Sequence, residues 1–317
     1  MNPISICIIA KNEEKNIDAF LSAIKLHMKD YPHEIVFVDT GSTDSTKALA
    51  SKYTSNVYDF KWINDFSAAR NFSIEKASND WVLILDCDEY ISEVNPQYFQ
   101  EMMTRHPQGI GMITRLNHYQ MNGHDSIYTD QVERFFHRNY FHYESIIHEQ
   151  VVSSIDKKTE KVSINLTVDH LGYTGTKEEL QKKVERNNTL LLQMLEQQPD
   201  DPYLYFQLGQ SYNAIGDVEK TCFYFGKGLE YDVDPRAEYV LLMVIGYGYT
   251  LLNLKRYEEA LLFENIYNEF SYSADFVFLM GLIYMNNALL DEAIDQFMKC
   301  TKTKQVSVKG VNSYLAY

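Results

Sequence analysis

The sequence is short of cysteine, of positive charge and of long hydrophobic runs, and each shortage removes a class of protein. Its 317 residues hold four cysteines, Cys7, Cys87, Cys222 and Cys300, far apart and set in apolar or repeat-like stretches. No pair has metal-type spacing, so they read as reduced core thiols of a cytoplasmic protein. The chain carries 29 lysines and arginines against 44 aspartates and glutamates, a formal net charge of -15 at pH 7. Such a surface repels a phosphate backbone, which argues against nucleic-acid binding. A nucleotide ligand stays open, because a divalent cation can bridge carboxylates and phosphates. No apolar run reaches ~18 residues, so no membrane span is expected. The start, MNPISICIIA, has no basic region ahead of a long apolar run, so no signal peptide is expected either.

What the chain does have is a strand with an acidic tip. In WVLILDCDEY, Trp81 to Tyr90, five apolar residues run into Asp86, Asp88 and Glu89. A continuous apolar run this short reads as a strand buried on both faces. Carboxylates are costly to bury unless paired or metal-bound, so the C-terminal tip of that strand is a charged site. Upstream, Ile4–Ala10 reads as a first strand and Ile17 to Met28 as a helix with an apolar face. Glu34–Asp39 is a second strand that also ends in an acid, Asn56–Phe60 a third, and Phe66–Ala77 a helix. Strands alternating with helices predict a doubly wound parallel sheet, with ligands at the carboxyl ends of its strands. The turn after the first strand, KNEEKN, is neither a Gly-rich dinucleotide loop nor a P-loop. A diphosphate would therefore need another neutraliser, and a metal on Asp86-Cys87-Asp88 is the economical one.

The bland readings are specific too. Asp39, Ser42 and Asp44 fit as helix caps. Arg70 fits a surface salt bridge with Glu75 or Asp65. Glu89 fits a solvated carboxylate, and His148 with Glu149 a structural histidine and a surface acid.

In order along the chain stand Ala10-Lys11-Asn12-Glu13, Val38-Asp39-Thr40-Gly41-Ser42-Thr43-Asp44, Ala69-Arg70-Asn71 and Asp86-Cys87-Asp88. Together they resemble the family 2 glycosyltransferases of GT-A fold. Asn64-Asp65-Phe66-Ser67, His148-Glu149, and His170-Leu171-Gly172-Tyr173 followed by Arg186-Asn187 narrow the resemblance to the sublancin-type peptide S- or O-glycosyltransferases. Those enzymes join a GT-A domain to tetratricopeptide (TPR) repeats. The resemblance implies a Mn²⁺ or Mg²⁺ ion on Asp88, and UDP-sugar contacts from Ala10, Asn12, Glu13, Asp39, Ser42, Asp65, Arg70, Asp86 and Cys87. His148, a common ligand type, is the candidate for a further metal or diphosphate contact, and Glu149 for the base that takes the acceptor's proton. Asp130 and Glu133 are rival bases, and His170 a supporting residue.

Beyond Gly175 the pattern turns helical. Thr176 with Glu179 makes a capping box, and Leu180, Val184, Asn187, Leu191 and Leu195 share a face. Tyr205, Leu208, Gly209, Tyr212, Gly216 and Phe225 fit the TPR template. Gly248, Tyr257 and Ala260 suggest a second unit, and Gly281, Tyr284, Ala293 and Phe297 a third. The expected organisation is a GT-A domain over 1–174 and an all-α TPR solenoid over 175–317. The expected function is metal-dependent, inverting transfer of a hexose from UDP-glucose or UDP-N-acetylglucosamine to a Cys or Ser of a peptide or protein that the TPR groove recruits. A homodimer through the TPR helices is a further expectation. The rivals are a glycosyltransferase acting on a surface polysaccharide or lipid-linked glycan, and a TPR adaptor whose sheet domain is inert.

Overall fold

Strand β1 (Ile4–Ala10) is the hub of the N-terminal sheet. Its residues Ile4, Ile6, Cys7 and Ile8 are fully buried; burying each isoleucine contributes about 1.5–3 kcal/mol. The structure, a computed structural model, describes residues 1–121, 124–155, 159–171, 177–303, 305, 310–313 and 315–316. Gly172-Tyr173 and Thr176 lie outside the described residues. The chain divides into two compact units, Met1–Lys177 and Glu178–Tyr317.

In the first unit, α1 (Ile17–His27), β2 (His33–Asp39), α2 (Thr46–Ala50), β3 (Val57–Asp59), α3 (Phe66–Glu75) and β4 (Trp81–Ile84) follow β1. Then come β5 (Glu89–Val94), α4 (Gln97–Arg105), β6 (Ile110–Met121), β7 (His124–His137), β8 (Phe141–Glu144), β9 (Gln150–Ser153) and β10 (Lys161–His170). Eight strands form one sheet in the order β3-β2-β1-β4-β7-β6-β10-β5, and β8 pairs with β9 separately. The expected parallel pattern holds from β3 to β4. Past β4 the sheet is mixed: β7 runs antiparallel to β4 and to β6, β6 parallel to β10, and β10 antiparallel to β5. The architecture is an α/β domain with one mixed eight-stranded sheet, followed by a helical unit.

Regular strand geometry in the acid-tipped segment stops at Ile84, and Leu85 N–H still donates to Cys7 O. The chain then turns at Asp86 to Asp88 and starts β5 at Glu89. This second strand was not anticipated. It lays Glu89 opposite His170 on β10.

In the second unit, α5 (Lys177–Gln197) precedes α6 (Pro202–Ala214), α7 (Val218–Gly228) and α8 (Glu238–Asn253). α9 (Tyr257–Ala260), a 3₁₀ turn over Leu261–Ile266, α10 (Tyr267–Phe270), α11 (Ala274–Asn286) and α12 (Leu290–Cys300) complete it. Three helix pairs share one connector of three residues, whose middle residue is left-handed: Gly216 (φ 75°), Lys255 (φ 58°) and Ala288 (φ 59°). In each, the next N–H reaches back five residues, from Asp217 to Tyr212 O, Arg256 to Leu251 O and Leu289 to Tyr284 O. These bonds satisfy carbonyls that the helix end leaves open. Only the first connector uses glycine, so the other two turns carry no sequence mark. The small residues of the template sit where helices touch: a Cβ at Gly209 would meet the Phe225 ring at 2.3 Å, and one at Gly281 would meet Phe297 at 2.5 Å.

Candidate active site

The register Ala10↔Asp39 puts the ends of β1 and β2 side by side, with the end of β4 next to β1. Asp39 is 5% exposed, and both its oxygens face Ser42 N–H, at 3.2 and 3.1 Å. Ala10 O accepts from Thr40 N–H and Oγ1. Asn12, left-handed at φ 59°, is cross-tied to the second turn: its N–H donates to Ser42 Oγ and its Oδ1 accepts from Thr43 N–H. Glu13 N–H donates to Thr46 Oγ1. Asp44 is a local cap that accepts from Thr46 N–H and Oγ1. The Asn12–Glu13 and Asp39–Ser42 segments are thus one braced ledge, although 30 residues separate Asn12 from Ser42.

Asp65 is the N-cap of α3, accepting from Ala68 N–H at 2.8 Å. Arg70, one turn further along α3, is 5% exposed rather than on the surface. Its Nε donates to Glu149 Oε1 at 2.6 Å and its Nη2 to Asp86 Oδ2 at 3.0 Å. α3 is tied to the segment carrying Glu149 by Phe66 N–H to Ile146 O, and by Asn71 on both backbone groups of Tyr143.

Arg134, on β7, reaches the same Asp86 carboxylate. Its Nη2 donates to Asp86 Oδ2 at 2.9 Å and to Glu89 Oε1 at 2.8 Å. Glu89 is wholly buried, not solvated, and its Oε2 also accepts from Asp86 N–H. Arg115, on β6, lies 3.6 Å from Glu89 and is bidentate on Asp130. Burial alone would raise the Asp86 carboxyl, but Arg70 and Arg134 outweigh it and hold the group well below the usual carboxylate range. Burial would likewise lower Arg70, yet Asp86 and Glu149 keep it firmly charged. The rival bases are engaged elsewhere, Asp130 with Arg115 and Glu133 with Lys161.

Asp88 is set apart from this chain of arginines. Its side chain is 31% exposed, and His170 Nε2 lies 3.4 Å from Oδ2. Asn117 Nδ2 donates to Asp130, which turns Asn117 Oδ1 toward His170 Nδ1 at 2.7 Å. In that pair Nδ1 is the donor, and Nε2 is the ring atom nearest the Asp88 carboxylate. His148 is exposed and left-handed at φ 52°, and Cys87 is buried with its thiol pushed up by burial. Among the described residues no cluster of three or more His, Cys, Asp or Glu side chains is gathered for a metal. Among the described residues Asp88 and His170 are the pair that could hold a metal here, a donor set that suits a hard divalent cation completed by phosphate oxygens and water.

The sequence reading missed Arg134, Arg115 and Asn117. They stand among other polar residues on the long hairpin strands, Arg134 after Glu133, Arg115 after Thr114 and Asn117 before His118, so nothing local marked them.

Residues 5–155 match the Glycosyl transferase family 2 pattern, and residues 274–306 match a tetratricopeptide repeat. The chain is 26% identical over 250 residues to a TPR repeat-containing protein of Synechococcus elongatus, covering 76% of this chain and 60% of that one. It is 28% identical over 231 residues to the SPbeta prophage-derived glycosyltransferase SunS of Bacillus subtilis, covering 71% of this chain and 53% of that one. The chain thus matches little more than half the length of either relative. A solved structure of S. aureus TarS 1–349 is 16% identical, with a TM-score of 0.36 over 95% of this chain and 90% of that one. A score that low carries no argument.

Proposed function

From a chain that carries a family 2 glycosyltransferase domain joined to tetratricopeptide sequence, we propose a metal-assisted, inverting glycosyl transfer from a UDP-sugar. The observation that carries the reading is the split use of acids at the β4 tip. Asp86 and Glu89 are spent on arginines, while Asp88 stays accessible beside His170. When bound, a Mn²⁺ or Mg²⁺ ion supplies positive charge to the departing diphosphate. Asp88 and His170 are the residues that would hold it. The braced ledge of Asn12, Glu13, Asp39 and Ser42 is the nucleoside side of the same edge.

Glu149 is the base in this reading. Arg70 fixes Oε1 and orients the carboxylate, and Oε2 has no protein partner among the described residues. An acceptor thiol or hydroxyl gives its proton to Oε2 as its sulfur or oxygen bonds to the sugar C1. The C1–O bond to phosphate breaks, and UDP leaves with the electron pair. The acceptor we favour is a Cys or Ser of a peptide or protein recruited by the helical unit, because TPR pairs stack into surfaces that take extended chains. A homodimer through the same helices, a cytoplasmic location and the choice between UDP-glucose and UDP-N-acetylglucosamine belong to this proposal as well.

Isothermal titration with UDP, with and without Mn²⁺, tests it. Binding that needs Mn²⁺, and that Asp88→Asn weakens about 100-fold or more, is expected for a lost charged ligand. Metal-independent binding, or no binding, sinks the reading. Glu149→Gln should keep UDP binding and lose about 10²–10⁴-fold in transfer.

A further inference from the structure

Three acids stand within four residues at the tip of β4, and any of them is chemically able to take a divalent cation. The structure does not leave them equal. Asp86 accepts from two guanidiniums, Arg70 at 3.0 Å and Arg134 at 2.9 Å. Glu89 accepts from Arg134 at 2.8 Å and from Asp86 N–H at 3.1 Å, with Arg115 at 3.6 Å. Asp88 touches no arginine among the described residues. One side chain, Arg134, serves both engaged acids from a single nitrogen, Nη2. It is 8% exposed, so water does little to screen the contact. The buried Tyr143 hydroxyl lies beside the same guanidinium.

We infer that Arg134 is a positioning residue that reserves the cation for Asp88. It engages Glu89, and Asp86 together with Arg70, so that the tip offers one carboxylate to a metal instead of three. This rests on the metal-assisted reading above and adds a reason for the site's selectivity. Three unpaired carboxylates would bind a divalent cation without nucleotide and could collect more than one. One carboxylate with one imidazole binds it weakly until a diphosphate completes the shell. Arg134 thereby makes metal and nucleotide binding depend on each other, a coupling between the two ligands.

The test counts Mn²⁺ by electron paramagnetic resonance of the free ion, on the full chain, with and without UDP. Wild type should bind little Mn²⁺ alone and one ion with UDP. Arg134→Gln should bind Mn²⁺ about tenfold or more tighter without UDP, or take a second ion, because Asp86 loses one of its two arginines and Glu89 the nearer of its two. Arg134→Lys, which keeps the charge, should restore the wild-type pattern. A folded Arg134→Gln, checked by circular dichroism and thermal melting, that binds Mn²⁺ as wild type does would overturn the inference. Should Arg134→Gln not fold, Glu89→Gln decides. An arginine-engaged acid should change Mn²⁺-dependent UDP affinity by less than about threefold, whereas a loss near that of Asp88→Asn would make Glu89 a ligand and end the proposal. If Asp88→Asn itself leaves Mn²⁺-dependent UDP binding intact, the metal reading fails first and this one with it. If only the Arg134 and Glu89 variants behave otherwise than expected, the metal reading stands without it.

Discussion

Arg70 Nε lies 2.6 Å from Glu149 Oε1, although the two residues are 79 positions apart in the chain. The same guanidinium reaches Asp86 at 3.0 Å. One planar fork thus spans the tip of β4 and the segment after β8, and sets the spacing between Asp86 and Glu149.

A lysine cannot hold both carboxylates in that geometry, because it offers a point charge in place of a fork. Arg70→Lys should therefore lower kcat by about 100-fold, the cost of a misplaced catalytic group. The KM for the UDP-sugar should change much less. Steady-state kinetics check this; a rise in KM at unchanged kcat would place Arg70 in donor binding instead.

Asp86 links the site to acid stability. Its folded carboxyl is held below the ordinary range by Arg70 and Arg134 against the effect of burial. A depressed carboxylate contributes stability that is present above its unfolded pKa, near 4, and is lost as pH falls through the folded value. The melting temperature should drop as pH is lowered from about 5 toward 2. The slope should be shallower in Asp86→Asn, whatever that variant's starting stability. Thermal melts across the range measure it, and equal slopes would remove Asp86 from the account.

Ala288 occupies a left-handed connector position with φ 59°. That conformation brings Cβ too near the following carbonyl, and glycine avoids the clash at some entropic cost. Ala288→Gly should stabilise the helical unit by about 0.5–1 kcal/mol. Denaturant unfolding of the two proteins tests the sign. Lys255→Gly should behave alike, since Lys255 holds the same place with φ 58°.

Gly209 is the opposite case. A Cβ there would lie 2.3 Å from the Phe225 ring, whose own exposure is 1%. Gly209→Ala should cost about 1–3 kcal/mol by overpacking. A pairing with Phe225→Leu should recover part of it, since the smaller side chain gives way. Strictly additive losses in the double variant would show that the two residues do not press on each other.

The sequence by itself determined the strands β1, β2 and β4, the acid at the end of β2, the acidic tip beyond β4 and the helix template of the second unit. These are local: burial of an apolar run, the period of a helix and the small residue where two helices touch are all written in neighbouring positions. It also determined which residue types the site would use. What only the tertiary structure decided is which of them are partners. Glu89 looked solvated and is buried, because β5 begins there and packs beside β10. Arg70, open in the sequence to a surface salt bridge or a UDP-sugar contact, is the bridge between Asp86 and Glu149. His170, not His148, stands beside Asp88, because β10 ends next to the start of β5. Arg134 and Arg115 carried no signal, since a strand shows only its alternation and not what its polar face will meet. The charge at the tip of β4 was readable from one segment; its distribution among three acids depends on arginines from three others.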